Sequence, residues 1–168
     1  MMATQGKGKT AYMGLLLAFA LILSYVESLI PFFFGIPGMK LGLANLAVLL
    51  TMILLGVREA LMINIGRIII SSFLFGNMFM ILYSLAGGIF SFLVMIGMKK
   101  SKKFSIAGIS MGGGVFHNVG QLLVAFAVVE TKSIFYYLPV LLAAGVGTGF
   151  LNGVIVMTVL PHLPFRKE

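Results

Sequence analysis

The sequence predicts an all-α integral membrane protein with six transmembrane helices, and three observations carry this prediction. Apolar residues make up 60% of the 168 residues and charged residues only 10%, whereas about a quarter of the residues of a soluble domain are charged. The mean hydropathy is +1.13, and a chain this apolar has too little polar surface to cover a water-soluble globule. Uncharged runs of spanning length also recur along the chain.

Six apolar runs define the predicted spans, because a bilayer core about 30 Å thick needs roughly 20 apolar residues of helix. They cover about residues 11–30, 41–56, 60–76, 78–98, 104–129 and 134–160. Prolines and glycines over residues 31–38 mark the connection between the first two spans, and a lysine-rich run over residues 99–103 marks the connection between the fourth and the fifth. No convincing internal repeat relates the halves, so we predict a single domain over residues 1–168.

The basic residues predict the orientation of these spans. With the N-terminus in the cytoplasm, most of them fall on the inner side: Lys7, Lys9, Arg58, Lys99, Lys100, Lys102, Lys103, Arg166 and Lys167. Lys40 and Lys132 fall outside, which is a clear positive-inside bias. We therefore expect both termini to lie in the cytoplasm. We expect the protein itself to lie in the cytoplasmic membrane of a bacterium or archaeon. The net charge of +8 reflects topology, and we expect no nucleic-acid partner.

The residue types that are missing exclude several chemistries. The chain has no Cys, and its four acidic residues are all Glu, so it cannot build thiolate metal sites or the Asp-rich magnesium clusters of enzymes that ionise allylic diphosphates. A phosphate-binding G-x-x-x-x-G-K-[ST] run is absent as well. We therefore expect no catalytic residue, no metal and no cofactor, and any ATP-driven cycle would need partner subunits.

Polar residues inside the predicted spans are the candidate binding residues, since a charge near the bilayer centre costs roughly 3 kcal/mol on insertion scales. Arg67 lies midway through the third span, and Asn64, Arg67 and Ser71 share one helix face. This face either binds a ligand or holds the bundle together through a Glu and helix dipoles. His117, Asn118 and Gln121 form a second cluster in the fifth span, and they either line a binding surface or satisfy one another within the bundle.

Glu27, Lys40 and Asn45 add polar groups at the outer ends of the first two spans. For Lys40 the alternative is a side chain that extends to the outer interface. All nine polar residues together predict a pocket that opens to the outside and favours an anionic or amide-rich ligand. The turn-rich segment 31–38 is suited to lie over it.

Small residues recur at four-residue spacing, which lets helices approach closely. Gly145, Gly149 and Gly153 line one face of the sixth span, and Gly14 and Ala18 lie one turn apart in the first. Packing within the chain is the default interpretation for the sixth span. A sliding contact with a partner subunit is the alternative.

Four ordered blocks resemble a known family. They are IPGMKLGLANLAVLL (36–50), REAL (58–61), Arg67 followed by SSFLFG (71–76), and HNVGQLLVA (117–125). They resemble the Gx transporter family, which is also labelled heptaprenyl diphosphate synthase component I and is similar to the substrate-binding S components of energy-coupling-factor transporters. The resemblance implies a compact S-component-like bundle that captures a vitamin-like or precursor molecule. It also implies a transmembrane coupling subunit and two ATPases as partners, which Gly14 and Ala18 would contact.

Two functions follow as hypotheses. The first is a non-enzymatic, substrate-binding membrane subunit of a transporter that takes up a small molecule from the extracytoplasmic side. The second is an accessory membrane subunit of a redox-, quinone- or isoprenoid-linked assembly, with a flavin- or quinone-handling partner. Catalysis by this chain as a prenyl synthase is disfavoured, because no Asp is present.

Overall fold

The computed structural model describes residues 7–29, 42–76 and 78–163, and in them the chain is helical without any strand. The α-helices are α1 (Lys7–Leu29), α2 (Asn45–Leu54), α3 (Val57–Phe75), α4 (Met78–Ser101), α5 (Ile106–Val129) and α6 (Leu138–Val159). Two short 3-10 helices, Lys132–Tyr137 and Leu160–His162, flank α6. The all-α prediction is therefore confirmed for these residues.

Local sequence explains where two of the helices begin or end. Gly56 separates α2 from α3 at a φ of +119°, a conformation that a residue without a side chain adopts at least cost. Its N–H and that of Leu55 both donate to the carbonyl of Thr51, at 3.2 and 2.8 Å, which closes the end of α2. Ser105 caps α5, since its hydroxyl oxygen accepts a hydrogen bond from the Gly108 N–H at 3.1 Å.

Packing divides the helices into two groups, which are joined through α2 and through the contact between α3 and α4. Helix α5 lies between α4 and α6, while α1 packs on α3 and α2. Helix α2 is buried along nearly its whole length and contacts α1, α3, α5 and α6. The largest hydrophobic cluster surrounds it and includes Leu49, Met52, Phe92 and Met95. Helix α2 therefore acts as the central apolar element of the bundle.

Four of the described helical segments are long and apolar enough to cross a membrane: Gly8–Leu29, Met78–Ser101, Ile106–Val129 and Lys132–His162. Helix α3 carries three charged residues, Arg58, Glu59 and Arg67. Helix α2 has 10 residues, which amounts to about 15 Å and half of a bilayer core. The protein is thus a multi-pass membrane protein by length and composition, and the crossing of the membrane by α2 and α3 stays a prediction.

The second predicted span, 41–56, is longer than the helix that forms. Gly42, Leu43 and Ala44 precede α2 as a turn. Gly42 has a φ of +87°, outside the right-handed helical region, and its N–H donates to the Glu27 carboxylate rather than to a helical carbonyl. A long-range contact with α1 therefore overrides the apolar run at this point.

Several of the basic residues that the structure describes gather at one end of the bundle. The Lys9 ammonium group forms an ion pair with Glu59 of the first turn of α3. Lys99, in the last turn of α4, donates a hydrogen bond to the carbonyl of Met52 near the end of α2. The start of α1, the α2–α3 turn and the end of α4 thus lie together, as one side of a membrane requires. That this side faces the cytoplasm stays a prediction.

Candidate binding site

Arg67 forms the centre of a buried polar cluster between α2 and α3. Its side chain is 3% exposed, and its Nη2 donates to Asn45 Oδ1 at 3.0 Å and to Asn64 Oδ1 at 2.9 Å. Its Nε also donates to Asn64 Oδ1, at 3.2 Å. The Asn64 amide in turn donates to the Gly88 carbonyl of α4 at 3.1 Å. The i, i+3 spacing of Asn64 and Arg67 makes this pairing possible.

Glu27 joins the end of α1 to the segment that leads into α2. Its carboxylate is buried and accepts hydrogen bonds from the backbone N–H groups of Gly42 and Leu43. It also attracts the Arg67 guanidinium electrostatically. A buried charge is stable only when hydrogen bonds and an opposite charge compensate it, and the two backbone donors and Arg67 supply both. Glu27 therefore anchors the start of α2.

Gly42 is the residue at which the helices converge. Its carbonyl accepts a hydrogen bond from Asn152 Nδ2 of α6 at 3.1 Å. A Cβ placed on it would lie 2.9 Å from Asn45 Nδ2 and 3.2 Å from Cδ2 of His117 in α5. Since such distances leave no room for a methyl group, only a glycine lets these side chains approach the backbone. We call Glu27, Gly42, Asn45, Asn64, Arg67, His117 and Asn152 the Gly42 cluster.

The polar residues of α5 point in two directions. The His117 ring lies between Gly42 and Gly87 of α4. A Cβ placed on Gly87 would lie 2.9 Å from His117 Nδ1. Gln121, one turn further along the same face, is completely buried. Asn118 faces α6 instead, because its Nδ2 donates to the Leu141 carbonyl at 2.7 Å. Asn118 thus links two helices and does not reach the Arg67 guanidinium.

The predicted site residues divide into three groups in the structure. Those in the Gly42 cluster are Glu27, Asn45, Asn64, Arg67 and His117. Three others are buried outside it: Gln121, Asn118, and Ser71, whose hydroxyl donates to the Ile68 carbonyl of its own helix at 3.5 Å. Lys40 and the segment 31–38 lie outside the described residues. That any of these residues binds a ligand stays a prediction.

Two residues of the Gly42 cluster are absent from the sequence prediction. Asn152 is a buried amide in a predominantly apolar span, and the rule that an intramembrane polar group needs a partner applies to it as it does to Arg67. The glycines beside it in the sequence indicate close helix packing instead. Gly42 carried no signal of its own, since its role depends on residues that lie up to 110 positions away along the chain.

The cluster can supply hydrogen bonds and charge to a ligand. Within residues 7–29, 42–76 and 78–163, no group of three or more His, Cys, Asp or Glu side chains is placed to hold a metal ion. The buried groups of the cluster come from five helices. Among them the Arg67 guanidinium is always a donor, because a guanidinium does not lose its proton in proteins. This chemistry fits recognition of a polar molecule.

Long apolar helices around a buried polar cluster define this chain as a polytopic α-helical membrane protein. The model of the family described as heptaprenyl diphosphate synthase component I matches residues 16–159. The chain belongs to this family. No curated protein and no solved structure matches it.

Proposed function

We propose that the protein is the substrate-binding membrane subunit of a transporter, which takes up a small vitamin-like or precursor molecule from the extracytoplasmic side. The Gly42 cluster carries this proposal. It gathers two opposite charges and several amide groups from five helices around one backbone position. Each intramembrane charge costs roughly 3 kcal/mol on insertion scales, and apolar packing alone would hold a helical bundle together without that cost.

The short helix α2 supports the same proposal. Asn45, its first residue, belongs to the Gly42 cluster, so α2 begins inside the bundle. Helices that are interrupted or that end inside the bundle line the substrate sites of many transporters, because the backbone groups at their ends are free to bind ligands and ions.

We further propose that the exposed face of α1 contacts a transmembrane coupling subunit that works with ATPases. Gly14 and Ala18 are both exposed on this face, and a Cβ placed on Gly14 would meet no atom within 4 Å. Small residues on an open helix face let a second helix approach closely. Native mass spectrometry of gently extracted complexes would show the mass of such a subunit, and spectra of the chain alone would contradict this part of the proposal.

The experiment on substrate binding compares Arg67→Lys with Arg58→Lys, which makes the same change at an exposed position. The wild-type protein and the Arg58→Lys variant should retain a co-purified small molecule in native mass spectra. Occupancy should fall about tenfold in Arg67→Lys, because an ammonium group cannot reproduce the planar guanidinium geometry that orients Asn45 and Asn64. Thermal unfolding would verify that the variant folds. Equal occupancy in both variants, or no bound molecule in the wild-type protein, would overturn the proposal.

The family description favours a second candidate, an accessory membrane subunit of an isoprenoid- or quinone-linked assembly. With no Asp in the sequence, the Asp-rich magnesium sites of a prenyl synthase would have to come from another chain. This candidate predicts a stably bound synthase or electron-transfer protein in the native mass spectra and no small molecule on the isolated chain. The same spectra therefore discriminate between the two functions.

A further inference from the structure

Four lysines lie within five residues at the end of α4: Lys99, Lys100, Lys102 and Lys103. The Lys99 ammonium group is used within the chain, because it donates a hydrogen bond to the Met52 carbonyl. The side chains of the other three are exposed. We call Lys100, Lys102 and Lys103 the lysine patch.

No acidic side chain in the described part of the chain neutralises the lysine patch. Glu59 lies at the same end of the bundle, but it is already paired with Lys9. Glu27 is buried near the other end of α1, and Glu130 follows the last residue of α5, whereas the patch precedes the first. Three neighbouring ammonium groups without a counter-charge repel one another and attract an anion.

The position of the lysine patch indicates that the anion belongs to the membrane. Helix α4 is long and apolar enough to cross a bilayer, and the patch begins in its last turn, where lipid headgroups lie. Phe104, directly after the patch, is 50% exposed. Lysines combined with an exposed aromatic side chain are typical of surfaces that lie at the boundary between headgroups and acyl chains.

The outer face of α4 offers room for an acyl chain beside the patch. Leu93, Gly97 and Lys100 follow i, i+4, i+7 spacing, so they share one helix face. Leu93 is 61% exposed, and a Cβ placed on Gly97 would meet no atom of the described residues within 4 Å. The helix surface is therefore indented at Gly97, about one turn from Lys100.

We propose that the lysine patch and this face of α4 bind an anionic phospholipid of the adjoining leaflet. The phosphodiester lies against the patch, and one acyl chain lies along Gly97 and Leu93. Lysine clusters directly beside a transmembrane helix favour anionic lipids in this way. The inference goes beyond the proposed function, since the patch lies at the opposite end of α2 from the Gly42 cluster.

Native mass spectrometry of the delipidated protein in a neutral detergent measures the affinity for three probes. They are dioleoylphosphatidylglycerol, dioleoylphosphatidylcholine and glycerophosphoglycerol, which is the anionic headgroup without acyl chains. Phosphatidylglycerol should bind at least about tenfold more tightly than phosphatidylcholine, whose headgroup has no net charge. Glycerophosphoglycerol should not bind at the same concentrations, because it has no apolar chain to lay along α4.

A triple variant tests the charges of the patch. Each lysine near an anionic lipid surface accounts for roughly fivefold in affinity. The combined substitution Lys100→Gln, Lys102→Gln and Lys103→Gln should therefore weaken phosphatidylglycerol binding at least about tenfold. The control Lys132→Gln removes an exposed lysine between α5 and α6, and it should keep the wild-type affinity.

Two glycine variants test the acyl-chain contact. Gly97→Leu fills the indentation and should weaken phosphatidylglycerol binding at least about threefold, because the chain loses its contacts with the helix. Gly147→Leu makes the same change on α6, where a Cβ would also meet no atom of the described residues within 4 Å, and it should bind like the wild-type protein. Both glycines are exposed, so both variants should fold, which thermal unfolding verifies.

Equal affinity for the two lipids, undiminished binding in the triple variant, an equal loss in Lys132→Gln, or identical binding by Gly97→Leu and Gly147→Leu would each overturn the inference. Glycerophosphoglycerol that binds as tightly as the lipid would assign the patch to a soluble anion instead. A dimer that only Gly97→Leu dissociates would assign this face to a second copy of the chain. The Arg67→Lys variant should bind phosphatidylglycerol like the wild-type protein, so the proposed function and this inference fail independently.

Discussion

Gly42 determines the geometry of the polar cluster, because side chains from four helices contact this one residue. Glu27 bonds its N–H, Asn152 bonds its carbonyl, and Asn45 and His117 occupy the space that a side chain would need. Its φ of +87° adds a second requirement for glycine. Backbone conformation and packing thus restrict the same position independently.

The variants Gly42→Ala and Gly56→Ala separate these two requirements. Both glycines have a positive φ, a conformation that strains a residue with a side chain, so each substitution should lose roughly 1–3 kcal/mol. At Gly56 a Cβ would meet only the Glu59 carboxylate, at 3.1 Å, and this side chain can move. Gly42→Ala should therefore lower the unfolding temperature further, because its neighbours are buried and hydrogen-bonded. Equal shifts would show that the contacts at Gly42 are loose.

The contact between α5 and α6 is built from glycines whose backbones touch. A Cβ on Gly145, Gly149 or Gly153 would lie 2.8, 2.6 or 2.6 Å from the nearest atom of α5. The three glycines of α6 therefore pack within the chain, as the default interpretation held, and their face is not open to a partner subunit. Close approach of this kind strengthens dispersion contacts between transmembrane helices, which is how small residues favour association in lipid.

Gly149→Ala and Gly147→Ala test this packing with the same chemical change two residues apart. A Cβ on Gly147 would meet nothing within 4 Å, so this variant should keep or raise the unfolding temperature through better helix propensity. Gly149→Ala should lose roughly 1–3 kcal/mol by overpacking against the backbone at Met111. Thermal unfolding in detergent measures both. An unaltered Gly149→Ala variant would contradict the backbone contact.

At the scale of the whole molecule, a group of lysines defines one end of the bundle. Lys9 and Lys99 bond Glu59 and Met52 there, and Lys100, Lys102 and Lys103 are exposed beside the start of α5. Cytoplasmic loops of membrane proteins carry an excess of Lys and Arg over the loops on the other side. We therefore expect this end to face the cytoplasm.

Single cysteines can report this orientation, because the chain has no native Cys. In intact cells a membrane-impermeant maleimide should label the Lys132→Cys variant and leave the Lys102→Cys variant unlabelled. Both positions are exposed, so both variants should be labelled after the membrane is permeabilised, which controls for reactivity. Labelling of Lys102→Cys in intact cells would reverse the predicted orientation.

The sequence by itself determined the membrane class, four of the six predicted spans as long apolar helices, and the face shared by Asn64 and Arg67, because composition, run length and helical spacing are local properties. It also indicated that the side chains of Glu27 and Arg67 face the interior of the bundle, since charges in apolar helices need partners. The tertiary structure decided that α2 begins only at Asn45, that Asn118 faces α6, and that Asn152 joins the polar cluster. Each of these outcomes depends on hydrogen bonds between distant segments, such as those of Gly42 with Glu27 and Asn152, and no local pattern encodes which of several buried amides will meet a given backbone group.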